Sequence, residues 1–159
     1  METTTTTDIY TPVLLTYIVD TYRATYPDEQ ARIARAGVLV EAGHVTLLPD
    51  GTATVRSQKG QATYMVNGHC TCFDRSAKQF CKHRLAKTFF RKLACLIRKA
   101  RYAMYLDAAT GEQVLGLAWP SLDGEKILYC PEADVYKTRM FTCEAAELVL
   151  LNHLDPEKG

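Results

Sequence analysis

Apolar residues recur at helical spacing near the start of the chain and at strand spacing further along. Val13, Leu14, Tyr17, Ile18 and Tyr22 fall on one face of a helix that Thr11-Pro12 opens and Tyr26-Pro27 closes, because threonine caps, proline tolerates the first helical position, and proline cannot continue a helix. Asp28 and Glu29 open a second helix that runs through Ile33 to Glu41-Ala42-Gly43, with Gly37 as its weak point. From His44 the period shortens. Val45 to Leu48, Thr52 to Arg56 and Ala62 to Val66 are short β-branched or aromatic runs, separated by Pro49-Asp50-Gly51 and Gln58-Lys59-Gly60, and predict a three-strand antiparallel meander. Lys82 or His83 to Tyr102 contains no Gly or Pro and reads as a long helix. Tyr102 to Leu106 and Gln113 to Trp119 flank Ala108-Ala109-Thr110-Gly111 and predict a hairpin. Ile127 to Cys130 and Tyr136 to Phe141 are further strands, and Thr142 with Glu144 opens a last helix through Leu148 and Leu151.

The expected fold class is α+β, with segregated helices and small antiparallel sheets. The expected organisation is a mobile tail over 1–10, a helical segment over 11–43, the meander with its long helix over 44–102, and an α+β segment over 103–159 packed on the same domain.

Composition narrows the class. Of 159 residues, 47% are apolar and 23% charged, as in an ordinary globular protein. No apolar run approaches the roughly 20 residues that cross a bilayer. The first residues carry neither the basic nor the apolar region of a secretory signal, so the expected location is cytoplasmic, or nuclear in a eukaryote, with no membrane partner. In a reducing compartment, six cysteines are available to metal instead of disulfides. The formal net charge of +1 hides segregation: Lys/Arg against Asp/Glu count 3 to 7 over residues 1–50, 12 to 1 over 51–106, and 4 to 10 over 107–159.

Cys70, Cys72, Cys81 and His83 follow the pattern Cys-x-Cys-x8-Cys-x-His. Three thiolates and an imidazole complete a closed tetrahedral zinc site of structural type, leaving no position for a catalytic water. Residues two apart on an extended strand leave the same face, so Cys70 and Cys72 converge. Residues two apart inside a helix point about 200° apart, so Cys81 must precede the helix and His83 must lie in its first turn. His69 is the one rival ligand. Cys95, Cys130 and Cys143 lack paired spacing and read as packing thiols.

The run Tyr64-Met65-Val66-Asn67-Gly68-His69-Cys70-Thr71-Cys72-Phe73-Asp74, followed by Cys81-Lys82-His83-Arg84-Leu85-Ala86, closely resembles the SWIM zinc finger over about residues 44–90. Phe73 departs from the proline common in that family. The resemblance implies a zinc-dependent module credited with binding DNA or proteins.

From Arg75 to Arg101 there are ten Lys/Arg and no Asp or Glu. On a helical wheel Leu85, Phe89, Leu93, Leu96, Ile97 and Ala100 form an apolar arc, while Arg84, Lys87, Arg91, Arg98 and Arg101 form a cationic one. No acidic residue at i±3 or i±4 neutralises that arc. Phosphates are its natural counterpart, and the absence of aromatics on it points to backbone-directed binding. The expectation is therefore a non-enzymatic zinc module that binds nucleic acid, DNA ahead of RNA, as an accessory of a larger machine. The alternative is a protein-interaction adaptor with the finger as scaffold. No glycine-rich phosphate loop and no His-Glu-x-x-His motif is present.

Overall fold

In the computed structural model the described residues are 6–73, 81–137 and 139–150. They form an α+β protein of three α-helices and two antiparallel sheets. No helix among them is long and apolar enough to cross a membrane. The chain gathers into two compact units, one of Leu15–Leu93 and one of Met1–Leu14 with Ala94–Gly159.

Helix α1 spans Thr6–Thr25, beginning five residues before the expected cap at Thr11. The residues from Thr6 to Tyr10, expected to belong to a mobile tail, are therefore helical; residues 1–5 lie outside the described ones. Pro12 sits inside α1 and withholds one rung of its ladder, a cost of about 3 kcal/mol in an isolated helix. Burial of Tyr10, Val13 and Leu14 around it supplies the opposing gain, about 1.5–3 kcal/mol for each large aliphatic side chain.

In the unit of Leu15–Leu93, a 3-10 turn at Pro27–Glu29 leads into α2, Gln30–Glu41. Gly37, the predicted weak point, is buried in α2, and a Cβ built there would lie 2.9 Å from Cγ2 of Val19. The glycine thus lets α1 and α2 approach closely. Its replacement by leucine is expected to overpack this contact and cost about 1–3 kcal/mol, read from the shift of a urea midpoint at unchanged slope.

Strands β1 (Val45–Leu47), β2 (Ala53–Arg56) and β3 (Thr63–Asn67) form the predicted meander, with Val45 opposite Val55 and Val55 opposite Tyr64. The three-strand expectation is exceeded by one short strand: β4, His69–Cys70, folds back on β3. Helix α3 spans Lys82–Lys99 and buries Leu85, Phe89 and Leu93 along one face. Phe89 meets the Tyr22 ring edge-on at 4.8 Å.

In the other unit, β5 (Arg101–Leu106), β6 (Gln113–Pro120), β7 (Ile127–Pro131), β8 (Phe141–Cys143) and β9 (Leu148–Leu150) form one sheet in the order β8-β7-β6-β5-β9. Two expectations fail here. The strand expected over Tyr136 to Phe141 is a 3-10 helix over Glu132–Lys137, and pairing resumes only at Phe141. Pro131 ends β7, and Glu132 and Asp134 suit the first turn of a helical segment. The last helix is likewise absent from 142–150. The cap falls at Glu144 and not at the expected Thr142, and its exchange with Glu147 closes only a 3-10 turn, because Leu148–Leu150 pair with Ala103 to Tyr105. Cross-strand pairing overrides a local helix signal there; the stretch from Leu151 lies outside the described residues.

Candidate metal centre

The site begins with a hairpin. Gly68 takes φ +75° between β3 and β4, a conformation glycine adopts without strain, and this puts Cys70 opposite Val66 and His69 opposite Asn67. Thr71 then ties the turn down: its N–H donates to the Met65 carbonyl at 3.2 Å, and its hydroxyl accepts the Met65 N–H at 3.0 Å. With the intervening threonine held to β3, the thiols of Cys70 and Cys72 serve one site.

Cys81 and His83 arrive from the other side. Cys81 stands immediately before α3, and its carbonyl accepts the N–H of Leu85 at 3.0 Å. His83 is the second residue of the helix. Both are buried, at 2% and 4% exposure, which is the placement that the i, i+2 argument required.

The four ligand atoms lie within 4.8 Å of one another. Nδ1 of His83 is 3.5 Å from the Cys81 sulfur and 3.7 Å from the Cys70 sulfur, and the Cys72 and Cys81 sulfurs are 3.3 Å apart. A tetrahedral zinc ion has sulfur near 2.3 Å and nitrogen near 2.0–2.1 Å, which sets edges of about 3.6 Å between sulfur and nitrogen and about 3.8 Å between sulfurs. The sulfur–nitrogen edges match, and the sulfur pair needs to open by about half an ångström. Cys70, Cys72, Cys81 and His83 could therefore hold one metal ion through three sulfurs and Nδ1.

Burial, ahead of the neighbouring thiols, pushes the Cys70 thiol up to about 12. Without metal this sulfur carries its proton at neutral pH, and an ion must displace that proton to bind. The His83 ring packs 4.3 Å from the Tyr64 ring, tilted by 34°. Its Nε2 is buried and has no hydrogen-bond partner among the described residues. Tyr64 therefore holds the imidazole by contact of ring faces, where metal-bound histidines more often donate to an oxygen.

His69 is exposed beside Cys70 and does not join the cluster. Cys95, Cys130 and Cys143 form no metal-ligating group among the described residues; burial pushes the thiols of Cys130 and Cys143 up to about 11, as expected of packing residues.

The five cationic candidates divide. Arg84, Lys87, Arg91 and Arg98 lie along α3, with Arg91 and Arg98 exposed. None of the four has an ion-pair partner among the described residues, although Lys87 donates to the Val66 carbonyl at 3.4 Å. Arg101 falls beyond the helix, on the first residue of β5, and its guanidinium donates to the Arg98 and Ala100 carbonyls at 2.7 Å each. It closes the end of α3 instead of extending the arc, because the helix stops at Lys99 and not at Tyr102.

One exposed residue was not singled out by sequence for contact. Phe73, next to Cys72, is 93% exposed. The only available signal was its place in the motif, where the family that the motif resembles commonly has proline.

No family model, no curated protein and no solved structure matches the chain. The functional reading rests on the geometry of these residues.

Proposed function

We propose that the chain is a zinc-holding module of the SWIM type that binds the backbone of nucleic acid through the cationic face of α3. The observation that carries this reading is the junction itself. Three cysteines and a histidine at ligand spacing surround the start of a helix whose Arg84, Lys87, Arg91 and Arg98 find no carboxylate among the described residues. Zinc is the ion favoured by a donor set of three thiolates and one imidazole. Its role is structural: all four positions are filled by protein, so the ion fixes the β3–β4 hairpin against the first turn of α3 and thereby sets the direction of the cationic face.

Neutralising phosphates releases counterions, so affinity for duplex DNA should fall with salt at a log–log slope of about −4 for four contacts. Reversing Arg84, Lys87, Arg91 and Arg98 to glutamate is expected to remove the slope and at least about a hundredfold of affinity near 0.1 M salt, with zinc content unchanged, in a fluorescence-anisotropy titration. A flat salt response in the unmodified protein removes the proposal. A pulldown that returns one stoichiometric protein and no nucleic acid favours the adaptor reading instead. Phe73 adds a smaller expectation: Phe73→Ala should weaken single-stranded DNA by about fivefold to tenfold and leave duplex affinity unchanged, since an exposed ring can stack on an unpaired base and not on a paired one.

A further inference from the structure

The sulfurs of the metal centre are placed for a second chemistry. Those of Cys72 and Cys81 are 3.3 Å apart, although the residues stand nine positions apart in the chain. Disulfide sulfurs lie about 2.0 Å apart, so this pair has only about 1.3 Å to close. The two thiols differ in access. Cys72 follows the end of β4 and is partly exposed, beside Phe73 at 93% exposure. Cys81 is 2% exposed. A small solute therefore reaches the Cys72 sulfur first, with the Cys81 sulfur behind it at contact distance. An accessible thiol backed by a second one that can resolve it is the arrangement of redox-sensing cysteines.

The other thiols are less suited. A bridge from Cys70 to Cys72 would span a single residue, Thr71, which two hydrogen bonds hold to Met65 of β3 at 3.2 and 3.0 Å. The Cys70 sulfur instead faces Nδ1 of His83 at 3.7 Å. Cys95, Cys130 and Cys143 lie outside the cluster, and burial pushes the thiols of Cys130 and Cys143 up to about 11, which keeps them protonated and unreactive. A thiol bound to a metal ion is by contrast held as the thiolate, the form that attacks a peroxide.

We infer that Cys72 and Cys81 are a peroxide-responsive pair: a hydroperoxide oxidises Cys72, Cys81 closes a disulfide onto it, and the site gives up its metal ion. In the first step the Cys72 thiolate attacks one oxygen of the peroxide. The S–O bond forms, the O–O bond breaks, and the second oxygen leaves as hydroxide or alkoxide, so the sulfur is oxidised and the peroxide reduced by two electrons. In the second step the Cys81 thiolate attacks the Cys72 sulfur. The S–S bond forms, the S–O bond breaks, and hydroxide leaves to take a proton from solvent.

Two of the four donors are then consumed, and Cys70 with His83 no longer makes a closed tetrahedral set. The tie between the β3–β4 hairpin and the start of α3 is lost with the ion, and a thiol reductant restores it by exchange with the disulfide. A disulfide formed in this way is transient, the kind that a reducing compartment allows. The inference deepens the zinc reading and rests on it for the release step, whereas the closing of the disulfide rests only on the sulfur pair.

The test uses the full chain as purified, with its zinc content measured first. Hydrogen peroxide is added at about fivefold molar excess, zinc release is followed with a chromophoric chelator, and the cysteines are mapped by mass spectrometry after free thiols are blocked. The expected result is a loss of about 2 Da in a single Cys72–Cys81 crosslink, with about one zinc released per crosslink. Dithiothreitol followed by zinc should reverse both. Dimedone present during a brief exposure should mark Cys72 and not Cys81, and Cys95→Ser should release zinc at an unchanged rate. A chain that carries no zinc yet forms the Cys72–Cys81 crosslink upholds the pair and removes the zinc reading. A crosslink to any other cysteine, zinc release without a disulfide, sulfinic acid as the first product, or a chain that keeps both zinc and free thiols under this excess would overturn the inference.

Discussion

If the four-ligand cluster holds zinc as proposed, metal removal is expected to unfold the β3–β4 hairpin and the start of α3. When the full chain is treated with a chelator, the amide signals of residues 63–70 and 82–93 are expected to collapse towards random-coil positions, and they should return when zinc is added back. The magnitude follows from what holds this region together. The hairpin of β3 with the two-residue β4 has few pairs, and the four-ligand cluster joins it to the start of α3 beside the His83–Tyr64 ring contact and the Lys87–Val66 hydrogen bond. Structural zinc contributes an apparent 10–16 kcal/mol in finger peptides, against a whole-domain stability of about 5–15 kcal/mol. Losing that term removes the strongest of the contacts that order the buried Cys81 and His83. Cys81→Ser and His83→Ala should each act as the chelator does, whereas Cys95→Ser, a thiol outside the cluster, should leave zinc content and spectra unchanged. Cobalt gives an independent readout: three thiolates and a nitrogen produce intense tetrahedral absorption and sulfur-to-metal charge transfer, and the charge-transfer band should weaken in Cys72→Ser. A chelated protein with native dispersion at residues 63–70 would remove the metal from the account of this fold.

The protons work in the same direction. The Cys70 thiol lies far above neutral pH in the metal-free chain because burial disfavours its thiolate, so binding releases a proton there. Zinc affinity is therefore expected to fall as pH falls, since each proton competes with the ion for the same sulfur.

Much of this site is legible in the sequence because its logic is local. The i, i+2 spacing of Cys70 and Cys72 suits only extended chain, and that of Cys81 and His83 suits only a helix start, so the spacing alone places the ligands on a strand end and a first turn. The structure has them there. The parts that were not legible depend on distant pairing. Thr142 with Glu144 reads as a helix start, yet Leu148–Leu150 go to β5, whose paired residues lie more than 40 positions earlier and outside any window around residue 145. Arg101 sits at the correct wheel angle but two residues past the end of the helix, where the chain has already entered β5. The cluster of the Tyr105, Tyr129 and Phe141 rings, 5.0–5.5 Å apart, was invisible for the same reason, since its members come from strands far apart in sequence and meet only in the register of the sheet.

That register rests on one small residue, and Gly116→Ala is expected to destabilise the protein by about 3–5 kcal/mol. Gly116 is buried in β6 opposite Pro131. A Cβ there would lie 2.3 Å from the Cys130 carbonyl oxygen and 2.6 Å from the Cζ and hydroxyl oxygen of Tyr129. The first contact is backbone in the paired strand, which cannot turn aside without breaking the β6–β7 ladder. The second is a buried ring held by its hydrogen bond to Val114. Glycine is normally unfavourable in a strand by roughly 0.5–1 kcal/mol, so its presence here marks a place where nothing larger fits. Gly111→Ala supplies the contrast: that turn glycine has φ +71° and open space around it, so only the left-handed backbone penalty of about 1–2 kcal/mol applies. In thermal melts Gly116→Ala should lose on the order of 10 °C and Gly111→Ala clearly less. Adding Tyr129→Leu to Gly116→Ala should not restore stability, because the Cys130 carbonyl remains in the way. A Gly116→Ala protein that melts with the unmodified chain would mean that β6 and β7 pair in another register, and the packing of Tyr105, Tyr129 and Phe141 would have to be rebuilt on it.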